Sequence, residues 1–258
     1  MNTLSRDDTQ RMLNKVPEVT LFFWIIKIMA TTVGETAADF LDVNLDFGLT
    51  GTSLVMGGLL LVALLAQLKT RRYVPWIYWV AVVLISVFGT LVTDNLVDNF
   101  GVSLQATTVI FSVALVATFG LWYASEKTLS IHTIFTTRRE LFYWAAILFT
   151  FALGTAAGDL AAEGLQLGYA YSALMFGAMI GAVTIAYYLF HLNAVLAFWV
   201  AYILTRPFGA SCGDLLSQPV ANGGLGLGTV LTSAIFLLTI LGLVAYLTAT
   251  DRRLVERA

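Results

Sequence analysis

Long apolar runs recur along this chain from Leu21 to Leu247, separated only by short polar connections. Each run approaches the roughly 20 residues that an α-helix needs to cross a bilayer, so the solvent for most of the chain must be lipid. Backbone polar groups in lipid have to be satisfied within the segment, which leaves α-helices as the elements these runs can form. Charge supports the same conclusion: 12% of residues are charged, against about a quarter in soluble domains.

The runs predict eight transmembrane helices, at about 20–42, 51–68, 75–97, 105–124, 140–162, 169–190, 193–214 and 227–248. The expected organisation is a cytoplasmic segment 1–19, a first half 20–124, a cytoplasmic linker 125–139, a second half 140–248 and a cytoplasmic tail 249–258. Residues 1–20 contain no apolar segment followed by a small-residue cleavage site, so they do not read as a removable signal peptide. Thr3 to Asn14 is expected to form a short amphipathic surface helix. The single cysteine, Cys212, has no partner for an internal disulfide and reads as a small packing residue.

Placed against these spans, twelve of the fourteen basic residues fall in the N-terminal segment, the connections after the second and fourth helices, or the C-terminal tail. The connections after helices one, three, five and seven carry none. By the positive-inside rule both termini are cytoplasmic. The acidic residues do the reverse: Glu35, Asp39, Asp42, Asp46, Asp94, Asp98, Asp159, Glu163 and Asp214 all belong to the opposite half of the membrane or the loops beyond it. Such a face attracts cations. No nucleic-acid partner is expected, and homo-oligomerisation is left open.

A pattern of tryptophan, then glycine ten residues on, then aspartate five further on occurs four times: Trp24, Gly34, Asp39; Trp79, Gly89, Asp94; Trp144, Gly154, Asp159; and Trp199, Gly209, Asp214. The tryptophans are 55, 65 and 55 residues apart, as expected of a two-helix unit duplicated twice. A unit with an even number of helices enters the membrane the same way each time, so the four copies are parallel and their odd helices equivalent. The simplest closed arrangement puts the odd helices around one axis with the aspartates at one depth; two separate halves are the alternative. The glycines are expected to permit close helix approach. The tryptophans are expected to anchor the helices at the interface.

Polar residues at four-residue spacing mark one face of each odd helix. They are Thr31, Glu35 and Asp39 with Thr32 alongside; Ser86, Thr90, Asp94 and Asp98; Thr155, Asp159 and Glu163; and Arg206 and Asp214. A carboxylate facing lipid would cost about 2.5–3.5 kcal/mol near the membrane centre, so these stripes should face protein or a wet cavity. Hard oxygen ligands suit Mn²⁺, Mg²⁺, Ca²⁺ or protons rather than soft metals. Glu35, Asp39, Asp94, Asp159 and Asp214 are the expected cation-binding, metal-ligating or proton-coupling residues, and Glu35, a full turn deeper, is the best single proton carrier. Asp98 and Glu163, with Asp42 and Asp46, read more readily as solvated residues at helix ends. Arg206 is expected to be an internal counter-ion, with Pro207 bending its helix, and Lys27 to snorkel to the cytoplasmic interface.

The segment KVPEVTLFFWIIK followed by TTVGE, residues 15–27 and 31–35, resembles a family of bacterial multi-pass proteins known as uncharacterised membrane-anchored proteins. That resemblance implies a bacterial inner-membrane location and brings no activity with it. The residues themselves point to a cation transporter or channel, for a divalent metal and coupled to protons, with no permanent cofactor and no enzyme activity. A second reading keeps transport but makes the cargo an organic cation such as a polyamine, held by aromatics of the odd helices (Phe22, Tyr78, Phe142, Phe198), which are otherwise expected to face lipid. A third is a non-transporting sensor, scaffold or aspartyl-type intramembrane enzyme.

Overall fold

The computed structural model describes residues 14–44 and 48–255, and no side chain is described for 42–44 or 251–255. The proposed surface helix before Asn14 and the positions of Asp42 and Asp46 lie outside what is described. Eight helices are long and apolar enough to cross a membrane: α1 Leu21–Asn44, α2 Gly48–Lys69, α3 Pro75–Asp94, α4 Leu104–Glu126, α5 Thr137–Asp159, α6 Gly168–Phe190, α7 Ala194–Ser217 and α8 Thr229–Val255. No strand occurs among the described residues.

Local chemistry sets several boundaries. Pro75 opens α3, where its missing N–H has no partner to lose. Ser103, Thr136 and Asn193 cap α4, α5 and α7 through their side-chain oxygens. The α6–α7 turn is so short that His191 takes a left-handed conformation to end α6. α3 and α5 each continue as a five-residue π-helical turn, Asn95–Asn99 and Leu160–Gly164, beginning directly after the repeat aspartates Asp94 and Asp159.

The odd helices form a closed ring in which α1 packs on α3, α3 on α5, α5 on α7, and α7 back on α1. The single-axis arrangement is therefore the one adopted. Between 61% and 67% of each odd span is buried, against 11–22% of each even span, so the even helices form an outer layer facing lipid. Each even helix packs mainly on the odd helix that follows it, α2 on α3, α4 on α5 and α6 on α7, and α8 closes the circle on α1. The two-helix sequence unit is thus not the packing unit: each copy's second helix braces the next copy's first.

The repeat motif is what joins the ring. A Cβ on Gly34 would collide with Ser86, on Gly89 with Phe151, on Gly154 with Arg206, and on Gly209 with Thr31. In every case the glycine of one copy receives the residue seven after the tryptophan of the next copy, cyclically. Lipid gives helices no hydrophobic drive to associate, so this close packing is what replaces it.

The tryptophans serve the same neighbour-to-neighbour packing, which corrects the expectation that they are interfacial anchors. Trp79, Trp144 and Trp199 are buried. Each ring lies against the aromatic residue that precedes the tryptophan in the previous copy: Trp79 on Phe23 at 5.7 Å between centroids, Trp144 on Tyr78 at 5.5 Å, Trp199 on Tyr143 at 6.3 Å and Trp24 on Phe198 at 5.7 Å. Aromatic pairs at such separations are worth about 0.5–1.5 kcal/mol beyond the area they bury. Tyr78 and Phe198, expected to face lipid, are thus interior, whereas Phe22 is partly exposed.

Candidate functional site

Because the ring is closed, residues four apart on each odd helix stack in layers around its axis. At the acidic end lie Asp39, Asp94, Asp159 and Asp214. One turn deeper come Glu35, Thr90, Thr155 and Ala210, and a turn below these Thr31, Ser86, Phe151 and Arg206.

The middle layer holds the most concentrated polar contact in the protein. Three helices supply an oxygen and the fourth supplies Ala210, whose short side chain leaves a gap. The guanidinium of Arg206, rising from the turn below on the same helix, completes the layer. Its Nη2 donates to Glu35 Oε2 at 2.8 Å, to Thr155 Oγ1 at 2.6 Å and to Thr90 Oγ1, and Nη1 donates to the Thr31 carbonyl at 3.4 Å. Arg206 is wholly buried and Glu35 nearly so. Its stem runs over Gly154, where a Cβ would strike it. Removing one partner of such a buried pair costs about 3–5 kcal/mol, because an unpaired charge stays behind.

Directly above, carboxylate oxygens of Glu35, Asp159 and Asp214 lie within 4.8 Å of one another, drawn from α1, α5 and α7. Asp39 and Asp94 stand outside this group but within electrostatic reach of it, Asp94 feeling Glu35, Asp159 and Asp39. Asp39 Oδ2 accepts from Gln218 Nε2 at 3.4 Å. Asp214 is buried, while Asp39, Asp94 and Asp159 are half-buried. Asp98 and Glu163 are exposed, as residues solvated at helix ends should be. Three such oxygens from separate helices are a group that could hold a hard cation.

Two stripe residues turn out to serve the scaffold. Thr32 Oγ1 donates to the Gly209 carbonyl at 3.1 Å, stitching α1 to α7. Ser86 fills the space over Gly34. Lys27 departs from expectation: its Nζ does not snorkel but is fully buried below the Arg206 layer, 4.3 Å from the Tyr202 ring centroid and 4.6 Å from that of Phe151. The nearest acceptor is the Tyr202 carbonyl at 3.5 Å. Aromatic faces substitute for a carboxylate, and Tyr78, Tyr143 and Tyr202 are themselves fully buried. Tyr78 and Tyr143 join through their hydroxyls at 2.5 Å.

Sequence reasoning missed two features. One is the gap at Ala210, which becomes visible once the four stripes are aligned, since it alone lacks a polar group. The other is a buried network at the basic end, where Glu140 pairs with Lys15 and accepts from Gln67 Nε2 at 3.2 Å. An acid beside two arginines at the start of an otherwise apolar helix was the available signal.

Eight apolar helices in four cyclically packed copies, with ionisable groups confined to the ring interior and its two ends, define a multi-pass membrane protein. The chain belongs to the family described as "Repeat of Unknown Function (DUF347)", whose repeat matches residues 22–73, 77–128, 142–192 and 197–253. Each match begins two residues before a repeat tryptophan, in the same frame as the pattern above. Most of the KVPEVTLFFWIIK segment lies outside the first match. No curated protein and no solved structure matches the chain.

Proposed function

We propose that this protein is a transporter of cations, with a divalent metal ion as the cargo its acidic site fits best and protons as the coupling ion. The observation that carries the reading is the convergence of Glu35, Asp159 and Asp214 beneath the acidic vestibule. Divalent Mn²⁺, Mg²⁺ and Ca²⁺ take oxygen ligands from carboxylates at separations such a cradle can meet. Asp39 and Asp94 attract cations to it and supply further oxygens. The carboxylate of Glu35 is shared between the cradle and Arg206, so an arriving cation competes with the guanidinium and a proton can stand in for either.

A transporter suits the axis better than a channel. Below the cradle a passing cation meets Arg206 and then Lys27, both buried, followed by the buried, hydroxyl-paired Tyr78 and Tyr143. A fixed conduction path would not place two positive charges in line with its cargo. Alternating exposure of the acidic site does not require the cation to pass them in a single static conformation. With the basic connections inside, the acidic end opens away from the cytoplasm of a bacterial inner membrane.

Purified protein in liposomes loaded with a metal-sensitive dye tests the reading with Mn²⁺ as the probe. Uptake is expected, with its loss in Asp159→Asn and Asp214→Asn; no Mn²⁺, Mg²⁺ or Ca²⁺ flux in either direction would refute it. The second reading, an organic cation, draws on Arg206 itself, since the layer of Glu35, Thr90 and Thr155 already holds a guanidinium. Competition of Mn²⁺ uptake by a polyamine that is itself accumulated would favour it.

A further inference from the structure

We propose that residues 14–17, Asn-Lys-Val-Pro, are the cytoplasmic gate of the pathway and that the Lys15–Glu140 ion pair is its latch. This rests on the transport reading above, because a gate needs a pathway to close.

The segment precedes α1 and lies folded into the basic end of the ring with all four residues buried. Val16 belongs to the same apolar core as Tyr78, Trp79, Tyr143 and Trp144. The bonds that hold it come from the end of α2, the α2–α3 connection, the linker between the halves and the start of α5. Lys15 N–H donates to the Ile134 carbonyl at 2.9 Å in the linker between the halves, and Tyr73 N–H donates to the Asn14 carbonyl at 3.1 Å from the α2–α3 connection. Gln67 Nε2 at the end of α2 donates to the Lys15 carbonyl at 3.2 Å, and Lys15 Nζ donates to the Leu68 carbonyl at 3.1 Å. Glu140, at the start of α5, receives both the Lys15 ammonium and Gln67.

Three features make this a closure that can be undone. First, the backbone bonds run to connections, whose positions change when helices rock, and no strand or helix continues through the segment. Second, the sole charged contact within it is a pair buried on both sides, at 6% and 1% side-chain exposure. A buried pair adds little net stability over apolar residues of the same size, and its best-attested use is in specifying one arrangement over another. Third, Asn14 Oδ1 and Gln67 Oε1 are buried in the same seam with no hydrogen-bond partner among the described residues, a cost the closed arrangement carries and an open one relieves. Glu140 lies one turn before Tyr143, whose hydroxyl meets that of Tyr78, so parting the latch also frees the floor of the tyrosine layer. The acidic end, by contrast, leaves three of its four aspartates half-buried. On the transport reading, the acidic end is then the more accessible one and the basic end the latched one.

The test uses the full chain in inside-out vesicles, with Cys212→Ser removing the native thiol and Val82→Cys as reporter. Val82 is buried at the position equivalent to Lys27 and Tyr202, one turn above Tyr78 on its own helix. A membrane-impermeant thiol reagent at the cytoplasmic face should label it slowly in the parent. Glu140→Gln and Lys15→Gln should each raise that rate at least tenfold, leaving the rate from the opposite face unchanged. The exchange Lys15→Glu with Glu140→Lys, and separately the apolar pair Lys15→Met with Glu140→Leu, should restore slow labelling. A rate within twofold of the parent in both glutamine variants would overturn the gate, as would equal increases from both faces, which mark general loosening. Gate failure with Mn²⁺ uptake intact would leave the transport reading standing. Absent uptake with side-specific labelling would sink that reading and leave a mobile closure without cargo.

Discussion

The Arg206–Glu35 pair offers the most quantitative check on the site. At 2.8 Å the direct attraction is about 6 kcal/mol for an effective dielectric of about 20, much of it offset by desolvation of two buried groups. The two halves of the pair are not equally exposed to rescue. Glu35→Leu leaves a guanidinium with no solvent exposure, hydrogen-bonded among the described residues only to Thr90, Thr155 and a carbonyl and with the Asp159 carboxylate as its remaining counter-charge, so it should lose up to about 3–5 kcal/mol, the cost of breaking a buried pair. Arg206→Leu leaves Glu35 beside Asp159 and Asp214, where a cation or proton replaces the arginine. It should therefore be destabilised in chelator but recover on adding Mn²⁺, by about 2.7 kcal/mol at a hundredfold excess over its dissociation constant. The double variant, which buries no unpaired arginine, should be more stable than Glu35→Leu alone. Equilibrium unfolding in mixed micelles, with and without Mn²⁺, reads all four corners of the cycle. A double variant whose loss equals the sum of the two singles would refute the coupling. An Arg206→Leu protein blind to Mn²⁺ would refute the shared use of Glu35.

Neutralising residues by position separates the cradle from its surroundings: Asp214→Asn should abolish the Mn²⁺-induced rise in unfolding midpoint, while Asp98→Asn, exposed and outside the cradle, should leave it within experimental error. The ring's glycine seams predict that Gly34→Ala and Gly89→Ala each cost about 1–3 kcal/mol, since a Cβ would meet Ser86 or Phe151 and its backbone. In the same unfolding assay Gly120→Ala, with open space around its Cβ, should be near neutral. Lys27→Met removes the buried positive charge between Arg206 and Tyr78, and the expected result in liposomes is a passive, uncoupled cation leak where the parent is tight; a variant as tight as the parent would show that Lys27 is no barrier.

The helices, their ends and their repeat frame were legible in the sequence because each depends on a short stretch of chain. Whether a segment crosses a membrane is decided by about twenty consecutive residues and the charges beside them, and all eight spans were recovered, the expected 75–97 and 140–162 ending inside the π-helical turns Asn95–Asn99 and Leu160–Gly164. The four aspartates and the polar stripe follow from helical periodicity within single helices, as do Glu35 and Arg206 as departures from the repeat. That Arg206 is an internal counter-ion follows from its charge; that Glu35 is its partner does not.

What only the tertiary structure decided is which surfaces meet. Trp144 looks like an interfacial residue when read within its own helix, and becomes a wedge once Tyr78 from the preceding copy lies against it. Lys27 has a stem long enough to snorkel, but the aromatic rings of α5 and α7 enclose it. Arg206 reaches Glu35 because Gly154 on a neighbouring helix clears its stem and Ala210 on its own leaves the layer open. In lipid no hydrophobic gradient tells one helix face from another, so side-chain fit between segments some fifty residues or more apart selects the ring. The sequence by itself determined eight spans and four equivalent aspartates; the closed packing of the odd helices determined that three of the acids and one arginine share a single site.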